Sequence, residues 1–318
     1  MPAAELIPVS VVVPTCNRAA VLRRTLESLA SQSVQPARLV LVDASADRAT
    51  RDLCGARTVD GLASEVVWIE AAAAGAASQR NQGMRECRHA VIGFFDDDIL
   101  FEPDCVARLW HGLHSDVGLG GVNALIINQR YQPPGHISRA IFRFMAGRPE
   151  RSYAGRVLGP AINLLPEDRD DLPELMPTEW LNTTCTLYRR EALPNPPFAR
   201  HFTGYSLMED LALSLAVSRD WKLANARTAR IFHDSWPGTH KDDAVALSRM
   251  ELVNRHYVMV GILERRRIAD YAKLVVWESF QLAACAIQRG GGPGFWQMLH
   301  GKLLGLRDIV GNPRRPGF

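Results

Sequence analysis

No stretch of 18 apolar residues occurs in the chain, so no membrane-spanning helix is expected. No two cysteines stand at a Cys-x-x-Cys spacing. Cys16, Cys54, Cys87, Cys105, Cys185 and Cys285 are scattered, which leaves zinc and dithiol redox motifs without support. In a chain of 318 residues such cysteines point to reduced thiols in a cytosolic compartment. A basic N-terminal region with a long apolar core is also missing. Val9 to Val13 is too short for one, so no signal peptide is expected and the protein is read as cytoplasmic. Nor does one sign of charge dominate: 37 Lys and Arg against 34 Asp and Glu leave +3, too little to argue for nucleic acid.

What is there is an ordinary globular composition, 47% hydrophobic and 22% charged, long enough for one large domain with an appendage. Val9–Val13 reads as a first strand stopped by Pro14, and Ala19 to Ser31 as a helix. Leu39–Val42, Glu65–Ile69, Val91–Phe95 and Val122–Ile127 read as further strands. Helices are expected over Ala76–Arg88 and from Pro103 to His114. This alternation predicts a doubly wound parallel α/β sheet. Residues 128–178 hold few periodic apolar stretches and read as a long functional loop. Strands are expected again at Trp180–Tyr188 and Ala229–Phe232, a helix at Leu207–Ser218, and a mostly helical tail.

The most informative feature is Asp96-Asp97-Asp98, which closes the apolar strand Val91–Phe95. Acids at the carboxyl end of a core strand sit in the crevice where open α/β sheets bind ligands. Their mutual repulsion calls for a counter-charge, which a hard divalent cation carrying substrate phosphates supplies. Asp43 and the turn Pro14-Thr15 close other strands and converge on the same crevice. Arg80, in the adjoining helix, suits a base or a phosphate. Taken singly, Asp43 could cap a turn and Arg80 could lie on the surface; their convergence carries the argument.

Five segments resemble family 2 glycosyltransferases of the GT-A fold. They are Val9 to Arg18, Leu41-Val42-Asp43, Ala77 to Gly83, Asp96-Asp97-Asp98, and Met208-Glu209-Asp210-Leu211. The resemblance implies a GT-A sheet, doubly wound and mostly parallel, flanked by helices. Residues 1–240 would form the catalytic domain and 241–318 a helical C-terminal extension. It implies a nucleotide-diphosphate sugar donor and inversion at the anomeric carbon. The donor would be held by Pro14, Thr15, Asn17, Arg18, Asp43, Arg80, Asp96 and Asp97. Mn²⁺ or Mg²⁺ would sit on Asp98, with Asp96 in a lesser part, and His233 stands where some relatives place a third ligand. His240 is a weaker candidate. Asp210 would be the general base, with Glu209 the alternative, and its place in the first turn of a helix favours the ionised carboxylate. Trp180, Asn182 and Thr183 fall where relatives contact sugar or acceptor.

The sequence also departs from the family's pattern. Ala44 replaces the usual second acid after Asp43. Val217 and Asp220-Trp221 stand where processive members carry Gln-x-x-Arg-Trp, so single-sugar transfer is expected, to a glycan or lipid-linked acceptor. Arg265-Arg266-Arg267 and the mixed apolar pattern of Ile268 to Ile287 suit either a helix packed on the domain or peripheral contact with an anionic membrane through 265–289. A non-catalytic nucleotide-sugar-binding scaffold is the alternative from another class. A sugar-nucleotide nucleotidyltransferase lacks its glycine-rich basic loop here. A haloacid-type phosphohydrolase would carry its acids on the first strand.

Overall fold

The computed structural model describes residues 4–55, 59–235, 243–288 and 293–311. In chain order the elements are β1 (Glu5–Thr15), α1 (Ala19–Ala30), β2 (Val34–Asp43), α2 (Ala49–Gly55), β3 (Glu65–Glu70), α3 (Ala76–Gly83), β4 (Val91–Phe95), β5 (Ile99–Phe101), α4 (Cys105–His114) and β6 (Leu119–Ile126). There follow α5 (His136–Ala146), β7 (Val157–Leu158), β8 (Ile162–Asn163), β9 (Leu175–Thr178), β10 (Cys185–Arg189), α6 (Glu209–Val217) and β11 (Lys222–His233). The chain ends in α7 (Ala244–Tyr257), α8 (Ile268–Gln288) and α9 (Pro293–Gly311).

The chain divides into two compact units, 1–131 with 165–236, and 132–164 with 237–318. The expected boundary at 240/241 and His240 lie outside the described residues. In the first unit a nine-stranded sheet runs β3-β2-β1-β4-β10-β6-β11-β5, with β9 paired to β11. Its core of Val9, Val11, Leu39, Leu41, Phe95, Leu109, Val122 and Ile231 is buried. β3, β2, β1 and β4 are mutually parallel, as are β6 and β11. The second half departs from a purely parallel sheet. β10 runs antiparallel between β4 and β6, and β5 and β9 run antiparallel to β11.

This topology places chemistry along one edge. The carboxyl ends of β1, β2, β4 and β11 carry Thr15, Asp43, Asp96 and His233. β10 runs the other way, so the residues just before it, 180–184, reach the same edge. Pro14 does not stop β1. Only Val9–Val12 pair with β4, so at Pro14 the strand has a neighbour on one side alone, where a missing N–H is tolerated. Gly83 ends α3 hard against the sheet: a Cβ there would lie 2.9 Å from Val42 and closer still to Val12.

The expected loop at 128–178 contains α5, β7, β8 and β9. Interleaved arginines (Arg139, Arg143) hid α5, which buries only Phe142 and Met145 before Gly147 ends it at φ 76°. The strand expected from Trp180 starts at Cys185, and the helix expected through Arg88 ends at Gly83 in a short 3-10 turn. In the second unit, α7, α8 and α9 share a buried ionic cluster. Arg255 binds Glu251 at 2.7 Å and Glu278 at 3.1 Å, and Lys302 pairs with Glu278. No helix among the described residues is long and apolar enough to cross a membrane.

Candidate active site

Each of the three consecutive acids has its own partners. Asp96 accepts from the Arg80 guanidinium at 2.7 Å. Asp97 accepts from Thr15 Oγ1 at 2.6 Å and pairs with Arg18 at 2.9 Å. Asp98 pairs with Arg18 at 3.0 Å and lies 3.1 Å from His233 Nε2. Burial pushes the Asp97 carboxyl up to about 7, against Arg18 and the Thr15 hydroxyl, which hold it down. Burial also opposes ionisation of Asp98, but His233 and Arg18 outweigh it and hold that carboxyl below its ordinary value.

Arg80 links two parts of the chain 129 residues apart. It is 3% exposed, and its second terminal nitrogen donates to Glu209 Oε1 at 2.7 Å. The acids after β4 and the Glu209-Asp210 pair at the start of α6 are thus clamped to one guanidinium, which lies over the Phe198 ring at 5.5 Å. Burial raises the Glu209 carboxyl against that guanidinium. Burial also lifts Asp210 to about 6, although its oxygen accepts from the Leu211 N–H at 2.7 Å. The helix-dipole expectation of a low value is therefore corrected: at this position desolvation outweighs the dipole.

Asp43 is buried at the end of β2. It accepts from Ser45 N at 2.9 Å and Trp68 Nε1 at 3.1 Å. Asn17, at φ 56°, closes the turn after β1, where its side chain accepts from Ala46 N at 3.0 Å and its N–H donates to Ser45 Oγ at 2.7 Å. Gln79, one residue before Arg80, donates to Thr15 O at 2.9 Å and Val42 O at 2.7 Å, so α3 pins the ends of β1 and β2 together. Trp180, Asn182 and Thr183 are buried. Ser214 of α6 accepts from Leu181 N at 2.9 Å and donates to Asp210 O at 2.7 Å, and Asp96 N donates to Thr184 O at 2.9 Å. The segment therefore lies between the acids after β4 and α6. The side-chain oxygen of Asn182 is buried without a hydrogen-bond partner among the described residues.

Asp96, Asp98 and His233 offer ligand atoms that all lie within 4.8 Å of one another. Two carboxylate oxygens and an imidazole nitrogen fit a divalent cation of the Mn²⁺ type, and oxygen-rich sites also take Mg²⁺. The ionised state of Asp98 fits a ligand role too.

Sequence reasoning missed Tyr205. It is 39% exposed, and burial together with the charges of Asp96, Glu209 and Asp98 raises its hydroxyl, which places it among the site's acids. Its only sequence cue is an aromatic beside Gly204, four residues before Glu209. Gly204 bridges Gly75 at the start of α3, a contact no local pattern announces. Ser206 (φ 57°) and Met208 (φ 71°) hold strained backbone just ahead of Glu209.

A mixed sheet of this order, with an acidic triplet after β4 at its carboxyl edge, is the architecture of the GT-A fold. The chain belongs to glycosyl transferase family 2, whose family model matches residues 10–193. Solved structures share the fold. The mannosyltransferase PcManGT from Pyrobaculum calidifontis, in complex with GDP-Man and Mn²⁺, is 14% identical with a TM-score of 0.55, over 96% of this chain and 75% of that one. GalNAc-T7, with UDP, GalNAc and Mn²⁺, is 15% identical with a TM-score of 0.53, over 80% of this chain but only 50% of that one. None of the curated proteins matches this sequence.

Proposed function

We propose that this glycosyltransferase is an inverting, single-sugar hexosyltransferase of polysaccharide or glycolipid assembly. It uses a nucleotide-diphosphate sugar and acts on a hydroxyl of a glycan or lipid-linked acceptor. The observation that carries the reading is the Arg80 clamp, which ties the acids after β4 to Glu209-Asp210 through two 2.7 Å bonds. Direct displacement needs that arrangement: leaving-group stabilisation on one side of the anomeric carbon and a base on the other. The Mn²⁺ and nucleotide ligands of the two fold relatives agree with it.

In this reading Asp98, Asp96 and His233 would hold Mn²⁺ or Mg²⁺, which would supply Lewis-acid stabilisation of a departing diphosphate. His233 Nδ1 faces the Gln129 amide at 2.9 Å. The Gln129 side-chain nitrogen is the atom on that contact, and Nε2, 3.1 Å from Asp98 Oδ1, is the ring nitrogen that would meet the cation. Asp43, Pro14, Thr15 and Asn17 line the nucleoside end, and Arg18 and Asp97 the phosphate end. Arg80 acts on the donor through Asp96. Asp210, lifted to about 6, takes the acceptor proton, while Glu209 is occupied by Arg80. Trp180, Asn182 and Thr183 face the sugar or acceptor, and the orphan oxygen of Asn182 suits a sugar hydroxyl. The catalytic domain is residues 1–240, with 241–318 a helical extension that brings peripheral contact at the cytoplasmic membrane face through 265–289.

The test is thermal shift against UDP-, GDP-, dTDP- and CMP-sugars with Mn²⁺ and with chelator. Saturation at a hundred times Kd adds about 2.7 kcal/mol of stability. A metal-dependent rise with one nucleotide is expected, and Asp210→Asn is expected to keep that rise while losing transfer. Wild-type turnover by Asp210→Asn would remove the base assignment. Donor binding without turnover on any acceptor would favour a scaffold.

A further inference from the structure

The outer face of α9 is apolar where a surface helix is ordinarily polar. Trp296, Leu303, Leu306 and Val310 are 64%, 57%, 53% and 71% exposed, and half-buried Leu299 falls on the same stripe. Spacings of three and four residues put all five on one side of the helix. The opposite side carries Gly301 and Gly305, which let α9 lie directly on the backbone of α7 at Val245 and Arg249. The stripe is therefore not the packing face turned outward; α9 is already packed through its glycines.

The exposure is concentrated in one part of the chain. Of the 14 large hydrophobic residues exposed among the described residues, ten belong to the unit of 132–164 and 237–318. The same unit holds 17 Lys and Arg against 8 Asp and Glu, a net of +9, which leaves the rest of the chain at −6. Apolar exposure and positive charge thus coincide on the smaller unit.

We propose that α9 is a membrane-docking helix that lies in the plane of an anionic bilayer, with Trp296 to Val310 in the headgroup–acyl boundary. Charge complementarity selects this occupant. A second copy would bring +9 against +9, and a nucleic acid offers no apolar surface for a row of leucines. Two heptads of apolar residues are also too short for a coiled coil. The stripe is about 21 Å long, a length suited to lying on a surface; Trp and Leu on one face are what such helices use, and the net +9 of the unit supplies the attraction to anionic lipid. The proposal extends the peripheral contact suggested for 265–289, but it rests on α9 alone and not on the donor chemistry.

The experiment is vesicle co-sedimentation of the full chain, with phosphatidylcholine vesicles and with vesicles of equal phosphatidylcholine and phosphatidylglycerol. The wild type is expected to bind the anionic vesicles, more weakly as salt rises, and to leave the neutral ones largely unbound. Leu303→Gln/Leu306→Gln/Val310→Gln is expected to lose roughly tenfold or more in partition. Its melting temperature and its nucleotide-sugar shift should stay at wild-type values, because the three side chains are exposed. Arg266→Gln/Arg267→Gln tests the 265–289 segment separately. Equal binding by the α9 variant, loss confined to the arginine variant, or a solution dimer that the α9 variant dissolves would each overturn the proposal. None of those results bears on donor binding, so the transferase reading is tested apart.

Discussion

Arg80→Ala is the perturbation that the site's electrostatics make most specific. The guanidinium is 3% exposed and its partners Asp96 and Glu209 sit at 2.7 Å each, with side-chain exposures of 24% and 11%. Truncation leaves the more buried of them, Glu209, as an unpaired carboxylate. Breaking a buried pair by removing one partner costs about 3–5 kcal/mol. At roughly 2–4 °C per kcal/mol for a unit of this size, the melting temperature falls by roughly 6–20 °C. The loss depends on pH in a defined direction. Without Arg80 the Glu209 carboxyl is raised by burial and by the neighbouring Asp210, with only a backbone hydrogen bond left to lower it. A raised acid binds more protons folded than unfolded, so stability falls as pH climbs from the ordinary Glu value of about 4.3 through the raised one. The variant should therefore melt closer to wild type near pH 5 than near pH 8. Glu209→Gln in the same background should restore part of the loss at pH 8, because a neutral amide needs no counter-charge. Calorimetric melts of the four proteins at two pH values form a double-mutant cycle. If Arg80→Ala melted within a degree or two of wild type at pH 8, the clamp would carry no energy and would not hold the two acid groups together.

The base assignment predicts an acid limb in kcat/KM with an apparent pKa close to 6, the lifted value of Asp210, and loss of that limb's residual activity in Asp210→Asn; a profile flat from pH 5 to pH 8 would contradict it. Arg18 already neutralises Asp98 at 3.0 Å, so it competes with the cation: Arg18→Ala should tighten Mn²⁺ binding several-fold by calorimetry while weakening the nucleotide diphosphate, and weakening of both would place Arg18 on the ligand alone. His233→Ala should weaken Mn²⁺ roughly tenfold or more without moving the melting temperature of the metal-free protein by more than a few degrees. Gly83→Ala, whose Cβ meets Val12 and Val42, should cost about 1–3 kcal/mol of stability, read as a lowered melting temperature.

The parts of this protein that were legible in the sequence are those where local chemistry and the fold agree. The core strands Leu39–Val42 and Val91–Phe95 read correctly because a doubly covered sheet needs continuous apolar runs, and the acids after them lie at the sheet edge as expected. What stayed hidden was set by contacts far apart in sequence. β10 reverses direction between β4 and β6, and no residue in Cys185–Arg189 states its orientation. α5 carries its arginines among its apolar positions, so its pattern reads as loop until Phe142 and Met145 find partners. Asp210 shows the limit most sharply. Its helix position argued for a low pKa, and only the three-dimensional burial reverses the sign. The backbone just before it explains how that burial is achieved. Ser206 and Met208 adopt left-handed conformations that side-chain-bearing residues ordinarily avoid, at about 1–3 kcal/mol each. α6 begins directly after them, with Glu209 on Arg80 and Asp210 next along the first turn. In the sequence Ser206 and Met208 carry no mark of that conformation. The start of α6 is held by the buried Arg80 through Glu209, and the helix is tied to Leu181 by Ser214, so the strained residues lead into an anchored turn.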